Sequence, residues 1–71
     1  MSTDELERAI VANANALARQ FYKTMGYEVP EGYRFDSARH PQERLCWRMS
    51  CDAFEMIEGT DPNDALSSIE E

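Results

Sequence analysis

The chain has 71 residues, 42% of them apolar, with three Gly, three Pro and two Cys; that is room for one small domain, 1–71, and argues against a self-sufficient enzyme. Seven basic against fourteen acidic residues give a net charge of -7, whereas a general nucleic-acid binder needs a basic face that displaces counterions. No apolar run approaches about 18 residues and no signal-peptide apolar region is present, which argues against membrane spanning and classical secretion.

A first helix is predicted from about Thr3 to Met25. Ser2 with Glu5 fits a capping box, and Asp4, Glu5 and Glu7 suit the positive end of the helix dipole. Leu6, Ile10, Leu17 and Phe21 recur at helical spacing, and Val11, Ala14, Ala18, Tyr22 and Met25 extend that stripe. Asn13 falls beside the stripe, as an exposed boundary residue or as one that fixes register in a helix pair. Gly26 is positioned to end the helix.

Residues 27–40 form an ordered connection carrying Tyr27, Tyr33 and Phe35. Val29-Pro30-Glu31-Gly32 is a turn signal, with Pro second and Gly fourth. The flanking alternation allows a tiny hairpin or an ordered extended loop, and either must rest its aromatics on the helices.

A second helix is predicted from about Pro41 to Glu58, with His40 as N-cap, Pro41 at the first turn and Glu43 following. Gly59 ends it. Its apolar residues span about two-thirds of the circle at about 100° per residue; the clear polar strip is Arg44, Arg48, Asp52 and Glu55. A helix that is apolar nearly all round is central in its domain or shared with another chain. A third helix, about 62–69, starts at Asp61-Pro62 and offers Ala65, Leu66 and Ile69 as one apolar face. The expected fold is all-α: an antiparallel helical hairpin, an ordered aromatic loop between helices 1 and 2, and a short C-terminal helix folded across both.

Charge divides the chain. Residues 1–50 hold seven acids and all seven bases; residues 51–71 hold seven acids and no base. That acidic third either solvates the chain or docks on a basic partner. Arg34, Arg39, Arg44 and Arg48 form the one basic group, with Tyr33, Phe35 and Trp47 near them in sequence. Arginine forks beside aromatic rings suit a protein partner or a phosphate-bearing ligand; the alternative is that Arg44, Arg48, Asp52 and Glu55 make ordinary surface ion pairs. Tyr33, Arg34, Arg39, Arg44, Trp47 and Arg48 are therefore the candidate binding residues.

Cys46 and Cys51 lie about 140° apart on helix 2, out of reach of a disulfide within it. They are expected as buried thiols in a reducing cytoplasm. His40, Glu43 and Cys46 match no zinc spacing, and no nucleophile–base pair or phosphate loop is present. No catalytic residue, metal site or cofactor is expected. Wide apolar coverage on so short a chain predicts a homo-oligomer, most simply a two-fold dimer, with Trp47, Cys51 and Phe54 at the interface. On that assignment Trp47→Ala weakens association and leaves helical content largely intact.

Three stretches carry a resemblance: Met25-Gly-Tyr-Glu-Val-Pro-Glu-Gly-Tyr33, His40-Pro-Gln-Glu-Arg-Leu-Cys-Trp-Arg-Met49 and Gly59-Thr-Asp-Pro-Asn-Asp-Ala-Leu66. Their texture resembles small acidic early proteins of tailed bacteriophages and prophages, over about half the chain and without a catalytic signature. The resemblance implies a cytoplasmic protein made during infection, which blocks a bacterial host enzyme or defence component or sequesters a signalling nucleotide. Three functions follow: a protein-binding inhibitor or adaptor, an oligomeric nucleotide sponge, and a structural or assembly protein.

Overall fold

A computed structural model describes residues 3–70. The chain folds into three helices, α1 (Thr3–Thr24), α2 (Pro41–Glu58) and α3 (Pro62–Glu70), with a single 3-10 turn at Phe35–Ser37 in the connection after α1. The predicted Ser2–Glu5 capping box lies outside the described residues.

Local chemistry sets the ends. His40 holds an extended backbone and its Nδ1 accepts from the Gln42 N–H at 3.4 Å, so α2 starts where Pro41 needs no amide partner. Gly59 stops α2 in the left-handed region, φ 73°. Asp61 caps α3 by accepting from the Asn63 N–H at 2.9 Å. The turn in the connection sits one residue later than its composition implies. Tyr33 N–H donates to the Pro30 carbonyl at 3.1 Å, so Gly32 is the third turn residue, and its φ of 84° is the value a type II turn demands there. The 27–40 segment is an ordered connection without strands, not a hairpin.

α1 and α2 run antiparallel. Glu43 and Cys46, early in α2, meet Tyr22 near the end of α1 and Met25 just after it, whereas Ser50, later in α2, meets Ala14 in the middle of α1. The contact is close because its centre is small: Ala14, Ala18, Cys46 and Ser50 are all fully buried. Ser50 Oγ donates to the Ala14 carbonyl at 2.5 Å, which satisfies the one buried polar side chain at this contact.

The rest of the core lies on one side of this pair. Phe35 is the largest fully buried side chain. Its ring meets Tyr22 and Tyr33 edge-on at centroid distances of 5.6 and 5.2 Å, and Tyr27 stacks on Tyr22 at 4.8 Å. α3 folds back across both helices, as expected, resting mainly on α1 and touching α2 less.

Two placements correct the sequence reading of the core. On α1 the buried line is Val11, Ala14, Ala18 and Tyr22, while Leu6 and Met25 are exposed. Leu6, Ile10, Leu17 and Phe21 lie on the flank away from α3, where Ile10, Leu17 and Phe21 are only half-covered. On α2 the buried residues are Cys46, Trp47, Ser50 and Cys51. Trp47 and Cys51 face Phe35 and the start of α3, inside this chain's own core. They are therefore withdrawn as oligomer-interface residues: the loop and α3 already cover their apolar surface. Phe54 is half-buried.

Candidate functional site

Two grooves flank α3, and together they divide the predicted Arg–aromatic group. The first, about 660 Å³, runs between α1, α3 and the loop. Its floor is apolar: Val11, Ala12 and Ala16 from α1, Leu66 and Ile69 from α3. Arg8, Arg19 and Arg34 line its edges, with Tyr33 beside Arg34, and among the described residues no carboxylate lines it. Arg8 and Arg19 are eleven residues apart, three helical turns, so they share one face of α1 about 16 Å apart.

Two of these arginines are braced. Arg19 Nη2 donates to the Pro30 carbonyl at 2.6 Å, tying the loop to α1. Arg34 grips Asp36 through Nε at 3.1 Å and Nη2 at 2.7 Å. Asp36 is almost fully buried in its side chain, while Arg34 stays 60% exposed at the edge of the groove. Asn15 completes the brace. Its Nδ2 donates to Asp36 Oδ1 at 2.9 Å and its Oδ1 accepts from the buried Phe35 N–H at 2.5 Å. One α1 side chain thus holds both the backbone and the acid of the aromatic loop. Asn13, the residue that sequence singled out instead, is exposed.

Tyr33 is held by its hydroxyl, which donates to Glu43; Tyr22 donates to the same carboxylate at 3.4 Å. Two phenols on one carboxylate anchor the loop to the start of α2. Donation to the Glu43 carboxylate and the loss of water raise both phenol pKa values above the ordinary value of 10.0; for Tyr33 the bond to Glu43 dominates, for Tyr22 the burial.

The second groove, about 700 Å³, lies between α2, the 3-10 turn and the start of α3. It gathers Arg44, Trp47 and Arg48, but also Asp36, Asp52 and Asp61. Its charges are mixed, so it offers an anion no net attraction. Trp47 is turned inward here, and its indole N–H donates to Asn63 Oδ1 at 3.0 Å. Arg39 is exposed in the loop and lines neither groove. The six predicted residues therefore separate: Tyr33 and Arg34 in the first groove, Arg44, Trp47 and Arg48 in the second, Arg39 alone. The predicted surface pairs along Arg44, Arg48, Asp52 and Glu55 are not formed; among the described residues the ion pair is Arg34–Asp36. Sequence reasoning missed Arg8, Arg19 and Asn15. The available signal was position: all three fall on one side of α1, and Asn is a poor helix former in an alanine-rich helix.

Among the described residues no three His, Cys, Asp or Glu side chains gather as a metal site, and no helix is long and apolar enough to cross a membrane. Both cysteines are free and buried. Burial pushes the Cys46 thiol up and the Cys51 thiol up to about 11. At pH 8 the native Cys51 thiol is therefore expected to react with a thiol reagent on the order of 100-fold more slowly than in denaturant, and Cys46 also more slowly, because the thiolate is the nucleophile. The same shifts make stability pH-dependent. The folded state favours protonated thiol and phenols, so this stabilisation is complete below the ordinary thiol value of 9.0 and falls as pH rises through about 11. Thermal melts by circular dichroism from pH 8 to 11 are expected to show a steadily falling Tm.

No protein-family model, curated protein or solved structure matches this chain.

Proposed function

We propose that the chain is a small non-catalytic protein-binding module, an inhibitor or adaptor, and that the groove between α1 and α3 takes an apolar, carboxylate-bearing segment of a partner protein. One observation carries this reading. In a chain of net charge -7, this groove sets Arg8 and Arg19 beside an apolar floor, and among the described residues no carboxylate lines it. Burial on the floor supplies affinity, and the arginine forks orient carboxylates along the rim. The braced loop supports the same reading, because a pre-ordered rim loses little freedom on binding. The resemblance to phage early proteins supports a bacterial host enzyme or defence component, met in the host cytoplasm, as the partner.

The test uses the full chain with a photo-cross-linking residue in place of Ala16, mixed with bacterial lysate. The cross-linked peptide, read by mass spectrometry, is expected to be apolar with interspersed Asp or Glu. Arg8→Glu and Leu66→Glu are each expected to weaken that cross-link at least tenfold, and raised salt to weaken it further. A cross-linked segment without acids, or one indifferent to both substitutions, overturns the assignment. A rise in Tm with a nucleotide and no protein cross-link replaces it with the nucleotide-sponge function.

A further inference from the structure

We infer that the chain forms a two-fold dimer through the incompletely covered face of the α1–α2 pair, the face opposite α3. This surface is distinct from the groove proposed above, and its test is independent of it.

The inference starts from where the covering elements lie. The loop and α3 reach α1 through Asn15, Arg19 and the groove floor, and reach α2 through Trp47 and Cys51. All of these contacts sit on one side of the two-helix layer. At about 100° per residue, the opposite flank of α1 holds Leu6, Ile10, Leu17 and Phe21, and the opposite flank of α2 holds Leu45, Met49, Ala53 and Met56. Ile10, Phe21 and Met49 pack partly against the chain's own core, but other residues of this side stay open. Leu6 is 53% exposed, Leu45 50%, and Met56 87%.

The second observation is charge. Of the chain's residues 30% are charged. Yet on each helix the roughly 120° that contains this flank holds no Asp, Glu, Lys or Arg. The polar residues interspersed there are Thr3, Asn13, Gln20, Thr24 and Gln42, each able both to donate and to accept. Such a surface tolerates its own image. Across a two-fold axis a charged face would set like against like, whereas amides and hydroxyls pair with copies of themselves. Asp52, Glu55 and Glu58 of α2 fall outside this arc, so none of them is set against its own copy at the interface.

Area and core size name the occupant. Two helices side by side present a strip about 27 Å by about 20 Å, on the order of 500 Å² from each copy. Closing two copies removes about 1,000 Å², the size at which specific interfaces begin. The chain's own core is meagre: beyond Phe35 its fully buried side chains are Pro62, Cys46 and Ser50 among the larger ones, with Ala14 and Ala18 at the helix contact. A chain of this length needs more buried apolar surface than that, and a second copy supplies it as a four-helix bundle.

Sedimentation equilibrium and light scattering of the full chain at micromolar concentration are expected to give twice 8.2 kDa. Met56→Glu and Leu6→Glu, both at exposed positions that leave the helix contact untouched, are each expected to raise the dimer dissociation constant at least tenfold while the circular dichroism spectrum stays helical. Arg8→Glu, on the far side, is expected to leave the dimer intact. A wild-type monomer throughout the micromolar range overturns the inference. So does a dimer that survives Met56→Glu and Leu6→Glu together, which places its interface on another face.

Discussion

Replacing Trp47 with alanine is expected to unfold the chain at room temperature. Trp47 is 9% exposed and packs in the cluster built around Phe35, Cys51 and Ala65. Truncating such a side chain in a core costs about 3–5 kcal/mol, as lost burial plus the cavity left behind. It also strands Asn63, whose Oδ1 accepts from the indole at 3.0 Å, near the start of a helix that meets α2 at few points. A domain of this size holds on the order of 5 kcal/mol in total. The circular dichroism signal at 222 nm is expected to fall to that of a largely disordered chain. Trp47→Phe keeps most of the apolar area and loses the hydrogen bond, so it is expected to stay folded with a stability lower by about 1–2 kcal/mol. A helical alanine variant would mean that Trp47 contributes surface, not core, and would restore it as an interface residue.

Asn15→Ala is the second large effect, and it reports on the loop. The substitution removes the acceptor for the Phe35 N–H and a donor to Asp36. Phe35 is 1% exposed, so its amide has no water to turn to. A buried donor left without a partner costs about 1–3 kcal/mol, and weaker seating of Asp36 adds to it; the better helix propensity of alanine offsets about half a kcal/mol. The net loss is expected near 2 kcal/mol, as a lower midpoint in urea. Hydrogen exchange is the sharper readout. Amides of residues 27–40 are expected to lose protection while those in the middle of α1 and α2 keep it. Asn15→Asp is expected to do more damage at neutral pH, because it sets a second carboxylate against Asp36. If the loop amides keep their protection in Asn15→Ala, then Tyr33, Tyr22 and Glu43 hold the loop without help from α1.

The ends of the elements are where sequence and structure agree most closely, and the reason is that they are local. His40-Pro41 and Asp61-Pro62 each pair a capping side chain with a residue that has no amide to satisfy, so those helix starts depend on nothing beyond two or three neighbours. Gly59 likewise ends α2 because a left-handed residue is tolerated there at little steric cost. An all-α chain with an ordered aromatic connection was legible from these signals and from the 3.6-residue period.

What the sequence could not decide was which side of α2 faces inward. Its apolar residues cover about two-thirds of the circle, so periodicity fits Trp47 and Cys51 as well as it fits Leu45, Met49 and Met56. The choice was made by tertiary structure: Asn15 and Arg19 pull the loop to one side of the helix pair, Phe35 follows it, and Trp47 turns toward Phe35 and Asn63. The Arg-rimmed groove depends on the same long-range contacts. Arg8 and Arg34 lie 26 positions apart, and only the docking of loop and α3 on α1 brings them to one rim. Capping and helical period act over a few residues and are written in the local sequence; the side on which a loop docks is a competition among distant contacts, and the folded chain alone resolves it.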